Sequence, residues 1–149
     1  MNKKLLIICI TLFYFLNLLA EENNMKKIEI IIKNEKYEIE LEKNSTTQKL
    51  LEMLPLELEI NELNGNEKYA VLPKKLPKED KVIRKINIGD LMLYQNNYLV
   101  LFYKNFSTSY SYTKLGRVVE IDKLIKNVSE RDRVLRIRLI EKQEYVNIV

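Results

Sequence analysis

Between Gly89 and Arg117 the chain runs GDLMLYQNNYLVLFYKNFSTSYSYTKLGR, and this stretch restricts the possible folds more than any other. Ile86 to Tyr94 reads as a strand interrupted at Gly89-Asp90. Gln95-Asn96-Asn97 is a tight polar turn. Tyr98 to Tyr103, YLVLFY, then has no polar face at all. A strand that is apolar on both sides has to be covered on both sides, which places it centrally in a sheet. An aromatic and hydroxyl-rich loop follows. Tyr110 and Tyr112 then alternate with Ser109, Ser111 and Thr113 in a further strand.

The rest of the chain repeats this grammar with one buried face. Ile28, Ile30 and Ile32 lead into the polar turn Asn34-Glu35. Tyr37, Ile39 and Leu41 then alternate with Glu38, Glu40 and Glu42, so the two runs predict a hairpin. Asn44-Ser45 caps a short helix in which Thr47, Leu50, Leu51 and Leu54 share a side, and Pro55 stops it. Leu56, Leu58 and Ile60 form another alternating run. Asn64-Gly65-Asn66 turns the chain into a short strand from Glu67 to Leu72. From Pro73 to Lys85, PKKLPKEDKVIRK, the periodicity is lost, and the reading is an exposed loop. Ile121, Leu124, Ile125 and Val128 have the spacing of a second short helix. Leu135, Ile137 and Leu139 alternate with Arg136 and Arg138 in a last strand. Many short strands and two short helices predict a mainly β protein, a small closed barrel that leaves no free strand edge.

The N-terminus bears on the compartment. Met1-Asn2-Lys3-Lys4 is a short basic segment, and LLIICITLFYFLNLL, Leu5 to Leu19, is an apolar run ending at Ala20 before Glu21-Glu22. That is the layout of a secretory signal peptide, and the run is shorter than the roughly 20 apolar residues of a spanning helix. The expected organisation is a signal peptide over residues 1–20 and one domain over 21–149, secreted or periplasmic, with no stable membrane insertion once the signal is removed. The alternative is an uncleaved N-terminal anchor. The only cysteine, Cys9, falls in the signal, so the remaining domain has neither disulfides nor thiol chemistry.

Charge and composition close off several function classes. The chain has 25 Lys+Arg against 21 Asp+Glu, and loss of Lys3 and Lys4 with the signal cuts the basic excess from four to two. Arg131, Arg133, Arg136 and Arg138 are the one basic concentration, and they read as a solvated face, so no nucleic-acid partner is expected. The chain contains no histidine. Ser-His-Asp and Cys-His nucleophile systems and His/Cys zinc sites are therefore excluded, and neither metal nor cofactor is implied. Glu38, Glu40, Glu42, Glu57 and Glu59 recur at strand spacing opposite apolar positions, as on a solvated sheet face rather than a paired-carboxylate site.

LEMLPLELEINELNGNEKYAVLP followed by INIGDLMLYQNNYLVLFYKNFSTSYSYTKLGRV is similar to the bacterial cyclophilin-like family of small proteins, a family largely without assigned activity. The matching pieces are the LPL after the first helix, the NGNEKY turn, the GDLMLY and LVLFYK strands, and FSTSYSYTKLGR. The resemblance covers roughly Lys26 to Val128 and implies a cyclophilin-type barrel with helices closing its ends. True cyclophilins are prolyl isomerases that rely on an arginine in a Phe-His-Arg-type strand. That motif is missing here. Arg84 lies in the charged loop with no Phe-His before it, and Arg117 follows Gly116 in a different context. Fold alone does not carry the activity across.

The candidate site is the segment from Tyr103 to Tyr112. Tyr103, Phe106, Tyr110 and Tyr112 offer apolar area, and Ser107 and Ser109 offer orienting hydroxyls. Glu67, Tyr69 and Arg117 would complete a polar rim if the barrel brings them close, with the arginine pairing a ligand carboxylate or carbonyl. The leading expectation is non-catalytic binding of a peptide or small-molecule ligand. The alternatives are weak prolyl isomerase activity with a non-standard site, or an envelope interaction module in which Tyr98 and the aromatic loop meet a protein partner. In a purely structural reading, Tyr110 and Tyr112 are core residues and the hydroxyls make turn hydrogen bonds.

Overall fold

The computed structural model describes residues 3–22, 26–132 and 134–141. An N-terminal helix, α1 (Lys3–Glu22), precedes the barrel and exposes its apolar side chains from Leu6 to Phe15. No helix among the described residues is long and apolar enough to cross a membrane.

The alternating isoleucines form β1 (Lys27–Ile32), which turns through Lys33-Asn34 into β2 (Glu35–Leu41). Both turn residues have positive φ, 52° and 67°, as the two-residue hairpin loop that matches strand twist requires. Ile28, Ile30, Ile32, Tyr37, Ile39 and Leu41 are buried on one face. The other face carries ion pairs such as Lys27–Glu38 at 2.6 Å and Lys36–Glu29 at 3.1 Å. Next comes α2 (Ser45–Leu51), where the Asn44 side chain accepts from the Thr47 backbone N–H and the Thr47 hydroxyl accepts from the Asn44 N–H. This reciprocal capping satisfies two donors that the first turn cannot pair internally.

β3 (Leu56–Leu63), β4 (Glu67–Val71), β5 (Lys81–Val82), β6 (Lys85–Ile86), β7 (Asp90–Tyr94), β8 (Tyr98–Phe102), β9 (Phe106–Ser107) and β10 (Ser111–Val118) follow in turn. The short helix α3 (Ile121–Asn127) and β11 (Val134–Glu141) complete the described chain. The strands pair in the order β2-β1-β11-β3-β4-β8-β7-β10, and β10 returns to β2, so eight antiparallel strands close into a barrel. Gly116 sits at the closing seam. A Cβ there would stand 2.3 Å from the Glu40 carbonyl oxygen, so only glycine lets β10 approach β2 this closely.

Alternation divides the barrel wall into two cores. On β7 and β8, Leu91, Leu93, Leu99 and Leu101 point inward with Ile28, Ile39, Ile60, Leu115 and Leu139. Met92, Val100 and Phe102 point outward, yet they are also buried, in a second cluster with Ile83, Ile86 and Tyr112. This is why YLVLFY has no polar face. Burying each of those outward side chains is worth about 1.5–3 kcal/mol.

The outer cluster has a cover, supplied by the segment Pro73–Lys85, which is mostly exposed loop as expected but carries two short strand pairings and two buried side chains. β5 pairs with β10, through Ser111–Val82 and Tyr112–Lys81. β6 pairs with β9, through Lys85–Ser107 and Ile86–Phe106. Leu76, Ile83 and Ile86 are buried. The segment has no local period because it makes two-residue pairings with partners far along the chain. Of the four grouped arginines, Arg131 and Arg138 are exposed, while Arg133 and the side chain of Arg136 lie outside the described residues, as does 142–149.

Candidate functional site

The hairpin β7–β8 turns through Gln95-Asn96-Asn97 and sets Tyr94 directly opposite Tyr98 on the outer face. Tyr69 of β4 lies opposite Val100 on the neighbouring strand. The three tyrosines therefore share one surface. Tyr98 stands 6.3 Å from Tyr69 and 6.3 Å from Tyr94, centroid to centroid. Tyr94 also contacts Tyr112 at 5.5 Å and Tyr110 at 6.1 Å, and Phe102 joins Tyr112 at 5.6 Å and Phe106 at 5.5 Å. Tilted and edge-on rings at these separations hold one another in place.

This aromatic belt walls a cavity of about 520 Å³ on the outside of the barrel. Leu63, Asn64, Asn66 and Glu67 form one side, from the β3–β4 hairpin; Phe106, Ser107, Thr108, Tyr110 and Tyr112 form the other. The second side is held by backbone bonds from Thr108 to the Arg84 carbonyl and from Ile83 to the Tyr110 carbonyl. Tyr112 is buried, and its phenol, which hydrogen-bonds the Thr108 side chain, is pushed up to about 12 by burial and then by nearby Glu67.

Glu67 is the chemically unusual member. It is 8 % exposed, and among the described residues its carboxyl has no hydrogen bond and no ion pair. Burial raises its pKa from 4.5 to about 7, helped by the negative charge of Glu62. Asn66 beside it has a buried side-chain carbonyl oxygen without a partner among the described residues. The lining includes neither lysine nor arginine. The arrangement is thus a set of stacked rings with unpaired acceptors at one side. Among the described residues no group of three or more metal-ligating side chains occurs.

Of the residues expected at the site, Glu67, Tyr69, Phe106, Ser107, Tyr110 and Tyr112 line this one cavity. Tyr103, Ser109 and Arg117 do not. Tyr103 points toward the inner core, where its hydroxyl donates to Glu62 at 2.8 Å, because it follows Phe102 and alternation sends it to the other face. Ser109 is exposed and outside the lining. Arg117 is exposed opposite Asp90 and Glu40. With β7 and β8 between β10 and β4, it stands three strand spacings, roughly 14 Å, from Glu67, so no Glu67–Arg117 pair forms. Tyr94, Gln95, Asn64, Asn66, Leu63 and Val100 were not expected there, while Thr108 falls within the expected segment. The signal for Tyr94 is its mirror position with Tyr98 across a three-residue turn. For the others no local pattern exists.

A profile of the cyclophilin-like family matches residues 30–139. No curated protein matches the chain. Among solved structures, the solution structure of the hypothetical protein AF2241 from Archaeoglobus fulgidus is similar, with a TM-score of 0.57 at 16 % identity, covering 79 % of this chain and 95 % of that one. The structure of McbB in complex with tryptophan has a TM-score of 0.56 at 20 % identity and covers 80 % of this chain, which spans 46 % of that chain. At these identities the likeness is one of fold.

Proposed function

The chain belongs to the cyclophilin-like family, and on that premise we propose that it is an exported binding domain whose outer-wall cavity holds a peptide or small ligand without transforming it. The observation that carries this reading is the cavity itself: five tyrosines and Phe106 arranged around unpaired acceptors, on a rigid barrel wall. A cavity of about 520 Å³ is within the range of small-ligand sites. Partly exposed rings keep their faces open for stacking while their mutual contacts limit the entropy lost on binding. The absence of histidine and of a Phe-His-Arg-type strand from the sequence favours binding over prolyl isomerisation. The basic leader and apolar run ahead of β1 support export, and the balanced charges support neither a nucleic-acid partner nor a membrane partner for the barrel.

The test is an NMR titration of the chain with Xaa-Pro peptides and with free aromatic amino acids, together with exchange spectra on the peptides. Aromatic amino acids belong in the set because the fold neighbour McbB is seen in complex with tryptophan. The expected result is a cluster of shifts at Glu67, Tyr94, Tyr98, Tyr110 and Tyr112, with unchanged cis/trans exchange. Accelerated exchange would make the protein an isomerase. Shifts scattered away from the cavity, or none, would remove the binding reading.

A further inference from the structure

The β3–β4 hairpin carries two carboxyls on opposite sides, and only one of them has a partner. Glu62 accepts from the Tyr103 hydroxyl at 2.8 Å and the Gly65 backbone at 2.7 Å, and it pairs with the buried ammonium of Lys68. Lys68 also donates to the Asp132 carbonyl, so its charge is fully engaged on that side. Glu67, one residue earlier, faces the other way into the cavity. Among the described residues no cation and no donor meets it, although it is more than nine-tenths buried.

A buried carboxyl without a partner is costly to keep charged, and protein cores avoid it. Its oxygens still reach solvent, so the partner is whatever the cavity admits: water in the free protein, or a ligand that displaces it. The cavity walls include the rings of Tyr69, Tyr94 and Tyr98, whose faces attract positive charge through their quadrupoles. Asn66 adds a second oxygen in need of a donor. An acidic group without a cation, electron-rich rings and a lining free of lysine and arginine all ask for the same complement. We propose that the cavity selects an organic ammonium ion, its N–H groups on Glu67 and its apolar body between the tyrosine rings. This rests on the binding reading above and names the chemical class of the ligand. With a pKa raised to about 7 the carboxyl of the free protein is partly protonated near neutral pH, and the ammonium ion displaces that proton to solvent when it binds.

The test compares two probes of one skeleton on the full chain: tyramine, and 4-propylphenol, in which a methyl group stands where tyramine has its ammonium. Tyramine is expected to bind at least about tenfold more tightly, a charge-assisted contact's worth of discrimination. Glu67→Gln should bring the two affinities together, the ratio of tyramine to 4-propylphenol affinity falling to about one. Equal binding of both probes to the wild type overturns the ammonium proposal and leaves the binding reading intact. Tyramine affinity that survives Glu67→Gln overturns it as well. If neither tyramine, 4-propylphenol nor the peptides and amino acids of the preceding experiment shift the cavity resonances, the proposal and the binding reading fail together.

Discussion

Two polar sites lie back to back on the β3–β4 hairpin, and they were built to opposite rules. On the inner side, Lys68 is 1 % exposed and every charge near it is answered: Glu62, the Asp132 carbonyl and the Tyr103 ring with its centroid at 5.2 Å. Asp132 in turn holds Lys33 at 2.5 Å, and its carboxyl lies below the usual range despite partial burial, because Lys33 and the Ser129 backbone and hydroxyl favour the charged form. On the outer side, Glu67 is 8 % exposed and nothing among the described residues answers it. The difference separates a group that holds the structure together from one held by the structure. A satisfied buried network specifies an arrangement; an unsatisfied group beside an open cavity costs stability unless a ligand completes it.

The strongest way to break the comparison is to unbalance the inner site. Lys68→Met removes the ammonium, leaving Glu62 with only the neutral donors Tyr103 and Gly65 and the Asp132 carbonyl without Lys68. Removing one partner of a buried pair should cost about 3–5 kcal/mol, read from urea unfolding at pH 7. A loss under about 1 kcal/mol, the size expected of an exposed pair, would mean that the network is as expendable as a surface ion pair.

The outer site should respond with the opposite sign. Glu67 titrates near 7 in the folded chain against 4.5 normally, so between those values the folded state holds more protons than the unfolded one. Stability from this group is therefore greatest below pH 4.5 and declines as pH rises through 7. Burial and Glu62 set the shift, and Tyr112 is the other titrating group at hand. Glu67→Gln abolishes this dependence. The variant should match the wild type near pH 4 and exceed its stability above pH 7 by on the order of 2 kcal/mol. A constant difference across that pH range would show that the Glu67 pKa is not raised in the folded chain.

How much of this contrast could be read from residues alone depends on how local each signal is. The β1–β2 hairpin was plain because Ile28-Ile30-Ile32 and Tyr37-Ile39-Leu41 carry their period within a few residues, and burial agrees with it. YLVLFY announced two covered faces but not what covers the second. That cover comes from Ile83, Ile86 and Phe106, which reach it through two-residue strands paired across Lys85 and Ser107, too short to leave a period. Lys68 looks like one more solvated strand residue until the strand order brings Glu62 and Asp132 to it. The aromatic half of the site was visible in Phe106, Tyr110 and Tyr112. Tyr98 is singled out by the interaction reading, whereas Tyr94 emerges only from its mirror position across the turn.

A smaller effect sharpens the division between the two sides. Tyr103→Phe keeps the ring and deletes the hydroxyl that donates to Glu62. Glu62 retains Lys68 and the Gly65 N–H, so the loss should be about 1 kcal/mol, the net worth of one hydrogen bond. Burial, and then Glu62, raises the Tyr103 phenol well above the ordinary tyrosine range, so it should stay un-ionised through alkaline absorbance titration. Cavity affinity should not change, because Tyr103 is absent from the lining. A tenfold loss of ligand affinity would mean that the two sides are energetically joined.

The least effect is expected from Arg117→Ala, and it tests where the site ends. Arg117 is exposed at the far end of β10, with Asp90 and Glu40 as its cross-strand neighbours and no ion pair to either. Truncation should move stability by no more than about 0.5 kcal/mol, as for other exposed positions. The more telling readout is binding. β7 and β8 separate Arg117 from Glu67, and the outward Met92 and Phe102 between them are buried under the β6–β9 cover. An arginine side chain would have to cross that cover to reach a bound ligand. Unchanged affinity for tyramine therefore confines recognition to the tyrosine belt and the β3–β4 hairpin. A fall in affinity would mean that the cover lifts when ligand binds, opening a longer groove along the outer wall from Glu67 to Arg117.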